Sequence, residues 1–217
     1  MINNLKYKNI LIFILLSVSF SKSFSRISTT IDFPSNYNII GRSLESNQVV
    51  VDQMYENKPG INIAYEHLGI SRENINLYIG GEFMLGKNSQ STMAFHSLYL
   101  MPSLIFKEKY AVNTRFGLSQ INTDQNNFDL NFGYVVSLGF EYQISNKMAL
   151  SLSYSMYDMQ NKDITDVSGF NPPLVSNIGN GIIDIDDMNL DLKYNKIGLS
   201  VVYGFEVVTK KERNEKN

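Results

Sequence analysis

FDLNFGYVVSLGFEYQI, residues Phe128 to Ile144, decides the fold. Phe128, Leu130, Phe132, Tyr134, Val136, Leu138, Phe140, Tyr142 and Ile144 share one face of an extended chain. Asp129, Asn131, Gly133, Val135, Ser137, Gly139, Glu141 and Gln143 share the other. A repeat of two belongs to a strand whose faces meet different surroundings. Ser145-Asn146-Lys147 then reads as a tight turn. Beyond it the alternation resumes, with Met148, Leu150, Leu152, Tyr154 and Met156 set against Ala149, Ser151, Ser153 and Ser155.

Working outward, the same pattern marks strands over residues 27–33, 60–67, 74–85, 93–106 and 110–120. Pro102 lies inside the fourth of these and predicts a bulge or an interrupted ladder, because proline has no amide hydrogen to give. In the last strand Ile197, Leu199, Val201, Tyr203 and Phe205 share a face, while Leu190, Leu192 and Tyr194 alternate in the opposite phase. That flip at Asn195-Lys196 predicts one long strand with a bulge rather than an extra hairpin. The count is then eight, and an even count returns both termini to one side.

Soluble sheets alternate as well, but they turn their large residues inward. Here the bulky face is strongly aromatic, and the opposite face is glycine, serine, asparagine and alanine. An eight-stranded barrel has an interior only wide enough for side chains, which suits small residues, whereas phenylalanine and tyrosine suit lipid and its interfaces. Strands of this length cross a bilayer when tilted, and closure pairs every backbone group. The expected fold is all-β: an eight-stranded antiparallel up-and-down transmembrane β-barrel preceded by a signal peptide.

The N-terminus supports export. Lys6 and Lys8 precede the apolar run Ile10 to Val18, and small residues follow at Ser19, Ser21, Ser23 and Ser25. The run is too short to span comfortably, so residues 1–25 read as a signal peptide with the mature start between Lys22 and Arg26. Residues 26–206 make the barrel and 207–217 a charged, disordered tail. A net charge of -2 gives no reason to expect nucleic acid. The absence of cysteine excludes disulfides, thiolate metal sites, a cysteine nucleophile and a lipid-anchored cysteine. Connections at residues 69–73, 107–109 and 145–147 are short, as periplasmic turns are; the long loops 34–59 and 160–187 belong on the outside.

The chain resembles the small outer-membrane β-barrel family, the group that includes OmpA-like and OmpX-like eight-stranded barrels, over roughly residues 26–206. Its most specific element is Leu199-Ser200-Val201-Val202-Tyr203-Gly204-Phe205. The resemblance implies that Leu199, Val201, Tyr203 and Phe205 form a terminal-strand signal read by the barrel-assembly machinery. It departs from the family in carrying residues beyond the final phenylalanine. It also implies outer-membrane lipid as surroundings and the outer membrane as the location.

Among candidate sites, Asp32, Glu66, Glu82, Arg115 and Glu141 fall on the inward face. Arg115 and Glu141 are on neighbouring strands. These residues could line an ion path, but a narrow lumen favours a filled core whose charges pair with one another. His67 and His96 have no acid nearby in the pattern, so no catalytic residue is assigned. Asp163, Asp166, Asp184, Asp186, Asp187 and Asp191 lack the glycine and closing glutamate of a calcium loop and read as a solvated loop, so no metal or other cofactor is expected. Tyr37, Tyr55, Phe170, Pro172 and Pro173 sit in the long loops, where they contact an extracellular ligand or pack the loops together. The functional expectation is a structural or surface-interaction barrel with no chemistry of its own; the alternative is a small pore or lateral conduit for small or hydrophobic solutes.

Overall fold

Eight antiparallel strands close on themselves in the computed structural model. It describes residues 23–33, 35–43, 46–57, 59–85, 94–122, 132–164 and 188–207. In chain order the strands are β1 (Ser23–Asp32), β2 (Ser35–Ser43), β3 (Val49–Asn57), β4 (Ile61–Arg72), β5 (Ile75–Met84), β6 (Ala94–Phe106), β7 (Tyr110–Asn122), β8 (Phe132–Gln143), β9 (Met148–Ile164) and β10 (Met188–Val207). The barrel runs β1-β4-β5-β6-β7-β8-β9-β10, and β10 pairs back onto β1 from Ser23↔Val207 to Asp32↔Gly198. β1 begins inside the stretch read as signal peptide; the rest of that stretch, and the tail from residue 208, lie outside the described residues.

The facing follows the alternation. Ile31, Leu118 and Leu138 on the outward parity are 58%, 61% and 57% exposed, and most other large apolar residues of that parity are exposed too, while Tyr65, Leu77, Val112 and Val136 are half-buried. Their neighbours Ser28, Ser137 and Ser200 are buried. At the end with short turns the outward aromatic rings touch one another: Tyr110 lies 5.4 Å from Tyr142, 5.7 Å from Phe106 and 5.9 Å from Phe140 between centroids. Such an apolar band with an aromatic rim is the surface a barrel shows to a bilayer.

Three features differ from the sequence reading. The segment 34–59, expected to be a long loop, is largely a hairpin. β2 pairs β3 and the N-terminal part of β10, so the wall rises beyond the closed barrel on this side. Tyr37, Ile39 and Gly41 alternate inward along β2, and Asn47 turns the hairpin with φ 54°, the left-handed region asparagine tolerates. The first connection at the short-turn end is tighter than the expected 69–73, because β4 runs to Arg72 with a register shift between Leu68 and Ile70, leaving Glu73 and Asn74 as the turn. Finally, there is no bulge at Asn195-Lys196. The β9–β10 register runs unbroken from Leu190 to Tyr203, and its only shift lies between Met188 and Leu190. Leu190, Leu192 and Tyr194 point inward on the same parity as Lys196 and Ser200. What changes along the strand is the chemistry of the inner face, not its phase.

The expected turns 107–109 and 145–147 are in place. So is an interruption at Pro102: the β6–β7 ladder pairs Leu100↔Phe116 and then Ser103↔Asn113, skipping two positions without changing register. The stretch Phe128–Asn131 lies outside the described residues.

Candidate functional site

The interior is layered. Above, on the long-loop side, buried Tyr37, Ile39, Val51, Met84, Phe95, Tyr157, Met159, Leu190, Leu192 and Tyr194 form an apolar plug with Val135. Phe95 stacks on Tyr194 at 4.6 Å and 9° and meets Tyr157 at 5.0 Å. β2 and β3 contribute Tyr37, Ile39 and Val51, so the hairpin is part of the plug rather than a free loop.

Beneath the plug lies a chain of alternating charges. Glu141 accepts from Arg26 (3.0 Å), and Arg26 also pairs with Glu66. Arg115 bridges Glu66 (2.8 Å) and Glu82 (2.7 Å). Lys196 bridges Glu82 (2.7 Å) and Asp32 (3.5 Å). Each cation also lies against a tyrosine ring: Arg26 over Tyr78 and Arg115 over Tyr99, both at 4.6 Å, and Lys196 against Tyr157 at 5.4 Å. Tyr99 donates to Glu66 (2.8 Å), Tyr157 to Glu82 (3.1 Å), Asn113 to Glu141 (3.0 Å) and Asn62 to Asp32 (2.6 Å). Buried charges persist only when paired and hydrogen-bonded, and here the partners come from all eight barrel strands.

Space for these side chains comes from small residues opposite them. A Cβ on Gly80 would sit 2.6 Å from the Tyr99 ring and 2.8 Å from Glu66 Cγ, so glycine there is what lets both reach the lumen centre. Ser97 pairs with Ser119 and Ser137 with Ser155, each at 3.1 Å, and Thr30 with Ser200 at 2.7 Å, so the hydroxyls satisfy one another across strands.

All five inward residues expected from the sequence lie in this chain, but their partners differ. Arg115 and Glu141 do sit on adjacent strands, yet Arg115 stands opposite Ser137 and reaches Glu66 and Glu82, while Glu141 stands opposite Ala111 and reaches Arg26. Arg26 and Lys196 were missed, the first because it borders the signal region and the second because it sits at the supposed phase flip. Tyr78, Tyr99 and Tyr157 were missed as tyrosines on a face expected to be small.

Leu199, Val201 and Tyr203 are exposed on the outer face of β10, and Phe205 lies 6.4 Å from Tyr203 and 6.5 Å from Tyr65. His67 Nδ1 lies 2.9 Å from Ser25 Oγ, which also meets the Tyr65 hydroxyl at 2.9 Å. Ser25 is fully buried. His96 lies against the Phe83 ring on the outer face, centroids 4.2 Å apart and planes tilted by 31°. Asp191 pairs with Arg42 (3.7 Å). The side chains of Asp163 and Tyr55, and residues 165–187 with the other loop aspartates, Phe170 and Pro172-Pro173, lie outside the described residues. Among the described residues no acidic and histidine cluster could hold a metal ion.

A closed antiparallel wall, apolar outside and charged within, settles the fold. The fold is that of a small outer-membrane β-barrel. No family model matches the sequence, and no curated protein matches it. Among solved structures the chain is similar to the outer membrane protein OprG from Pseudomonas aeruginosa, at 10% identity and TM-score 0.47 over 85% of this chain and 96% of that one. It is similar to Neisserial surface protein A at 9% identity and TM-score 0.42, covering 84% and 97%. It is also similar to the outer membrane protease OmpT from Escherichia coli at 9% identity and TM-score 0.49, covering 87% and 100%.

Proposed function

We propose that this chain is an outer-membrane barrel with a structural or surface-interaction role, and that it neither conducts freely nor catalyses. The lumen filling carries this reading. A solute entering from the long-loop side would meet a plug whose members Ile39, Phe95 and Val51 have no exposed surface. A solute entering from the other side would meet a chain of ion pairs spanning the lumen. Removing either obstacle means exposing packed aromatics or separating buried charges, each costing several kcal/mol.

On this reading the short turns face the periplasm and the β2–β3 hairpin faces the cell exterior. Lipid surrounds the apolar band, and the outer face of Leu199, Val201, Tyr203 and Phe205 serves the assembly machinery during insertion. The β2–β3 hairpin and the segment 160–187 are the surfaces offered to an extracellular ligand. Conductance in planar bilayers tests the core of the proposal: the purified barrel should give no steady single-channel openings. Steady openings of uniform size would favour the pore.

A further inference from the structure

The sequence repeats itself at the edge of the barrel. Residues 19–26 read SFSKSFSR, two copies of Ser-Phe-Ser, each followed by a basic residue. Each copy sets small residues one and three places before the bond it ends on, as leader cleavage sites do. Ser17-Val18-Ser19 and Ser21-Lys22-Ser23 meet the same rule. Sequence alone therefore leaves open the bonds after Ser19, Ser21, Ser23 and Ser25. The structure separates them.

The second copy belongs to the barrel. Ser23, Phe24 and Ser25 pair with Val207, Glu206 and Phe205 of β10, and Ser25 also pairs with His67 of β4. Ser25 is buried, and its hydroxyl lies 2.9 Å from His67 Nδ1 and 2.9 Å from the Tyr65 hydroxyl. The Phe24 ring covers Gly204, where a Cβ would overlap it. The same ring packs against the buried cluster of Tyr78, Tyr99 and Met101. Phe24 thus ties the seam at which β1 closes on β10.

A cut after Ser25 would remove all of these contacts. It would also put a new α-ammonium on Arg26, which is 5% exposed and whose guanidinium already pairs with Glu66 and Glu141. Glu66 is shared with Arg115 as well, so the added charge has no carboxylate of its own. Burying a charge without a partner is costly.

A cut after Ser23 keeps Phe24 but puts the ammonium on it. Phe24 lines a cavity of about 140 Å³ at the short-turn mouth, together with Arg26, Lys109, Lys147, Glu108 and Glu141. Cations already outnumber carboxylates in that lining, so another positive charge is repelled. A cut after Ser19 falls one residue past the apolar run Ile10 to Val18, with no spacer between them. A cut after Ser21 has none of these faults. It leaves β1 whole and sets the ammonium on Lys22, one residue before the first rung of the β1–β10 ladder.

We propose that the chain is processed at the Ser21–Lys22 bond by a leader peptidase that selects small residues, here Ser19 and Ser21. The step is a hydrolysis. The bond from the Ser21 carbonyl carbon to the Lys22 nitrogen breaks, water gives its hydroxyl to that carbon, and its remaining proton goes to the nitrogen. The first Ser-Phe-Ser is then a processing site, and the second is the start of the barrel wall. The assignment rests on the outer-membrane reading above, but the two fail separately.

The full chain, expressed with its own leader in a Gram-negative host, is recovered from whichever cell fraction holds it and sequenced from its N-terminus. Lys-Ser-Phe-Ser-Arg should be read, and any other start overturns the proposal. Absence from the outer membrane overturns the location, whatever the N-terminus. Two variants test the choice between the copies through the shift from precursor to mature length, which needs no folded barrel. Ser21→Leu should make the precursor persist or move the cut, whereas Ser25→Leu should leave the cut before Lys22. A Ser21→Leu chain that still begins at Lys22 overturns the assignment, and so does a cut displaced by Ser25→Leu.

Discussion

Replacing Arg115 with methionine tests whether ion pairs hold the lumen together. Arg115 contacts Glu66 at 2.8 Å and Glu82 at 2.7 Å, with its guanidinium 4.6 Å from the Tyr99 ring centre. At an effective dielectric near 20, each ion contact has a gross attraction of about 4–5 kcal/mol. Against the two of them stands the desolvation of the guanidinium, several kcal/mol. Methionine fills much of the same volume, so the loss comes mainly from two carboxylates left short of charge. Removing one partner of a buried pair costs about 3–5 kcal/mol. Arg115 keeps 16% side-chain exposure, so the lower end, about 3 kcal/mol, is expected.

The assay is equilibrium unfolding in urea, in vesicles, followed by circular dichroism and tyrosine fluorescence, since the chain has no tryptophan. Arg115→Met with Glu82→Gln should regain much of the loss, because the second change removes one of the stranded charges. Arg115→Lys should fall between, because an ammonium cannot fork to two carboxylates as a guanidinium does. If Arg115→Met lies within about 1 kcal/mol of the wild type, far below the cost of stranding buried charges, the lumen is wet enough to screen them and the closed-interior reasoning fails.

Leu152, on the outer face between Phe140 and Leu199, should lose about 2–4 kcal/mol on change to arginine, whereas Gln160→Arg, on the same strand and parity but beyond the apolar band, should lose about 0–1 kcal/mol; heat-modifiable mobility and urea midpoints check the contrast. Gly80→Ala should cost about 1–3 kcal/mol by overpacking Tyr99 against Glu66, read as a lowered midpoint with an unchanged slope. Tyr194→Ala, removing the ring stacked on Phe95, should cost about 3–5 kcal/mol and raise the rate at which planar bilayers show transient openings; a silent, equally stable variant would contradict the plug.

The wall was legible because lipid leaves a clean mark on sequence: every second residue of β8, and of β9 from Met148 to Met156, is large and apolar. The hairpin was not, because SNYNIIGRS and VVVDQMYEN carry too few alternating apolar residues to stand out from a loop, and their pairing depends on the extended end of β10. Asp32, Glu66, Glu82, Arg115 and Glu141 could be placed inside by parity alone. Their partners could not, since side chains as long as arginine reach across a narrow lumen to strands that are not neighbours: Arg26 on β1 meets Glu141 on β8. Parity gives the face of a residue and leaves its reach to be found in three dimensions.

The supposed phase flip in β10 shows why face and polarity must be kept apart. In a soluble sheet the apolar parity is the inner one throughout. In a membrane barrel both faces can be apolar, at different heights: the outside where lipid is, the inside where the lumen must be sealed. Leu190, Leu192 and Tyr194 are buried inside the lumen, and Ile197, Leu199 and Val201 are exposed on the outer face, so the apolar parity changes within one unbroken ladder. Lys196 sits where the two regimes meet, with its ammonium on Glu82 and Asp32 and its flank against Tyr157. A change of apolar phase inside a long strand of such a protein therefore marks the height at which the interior turns from polar to closed.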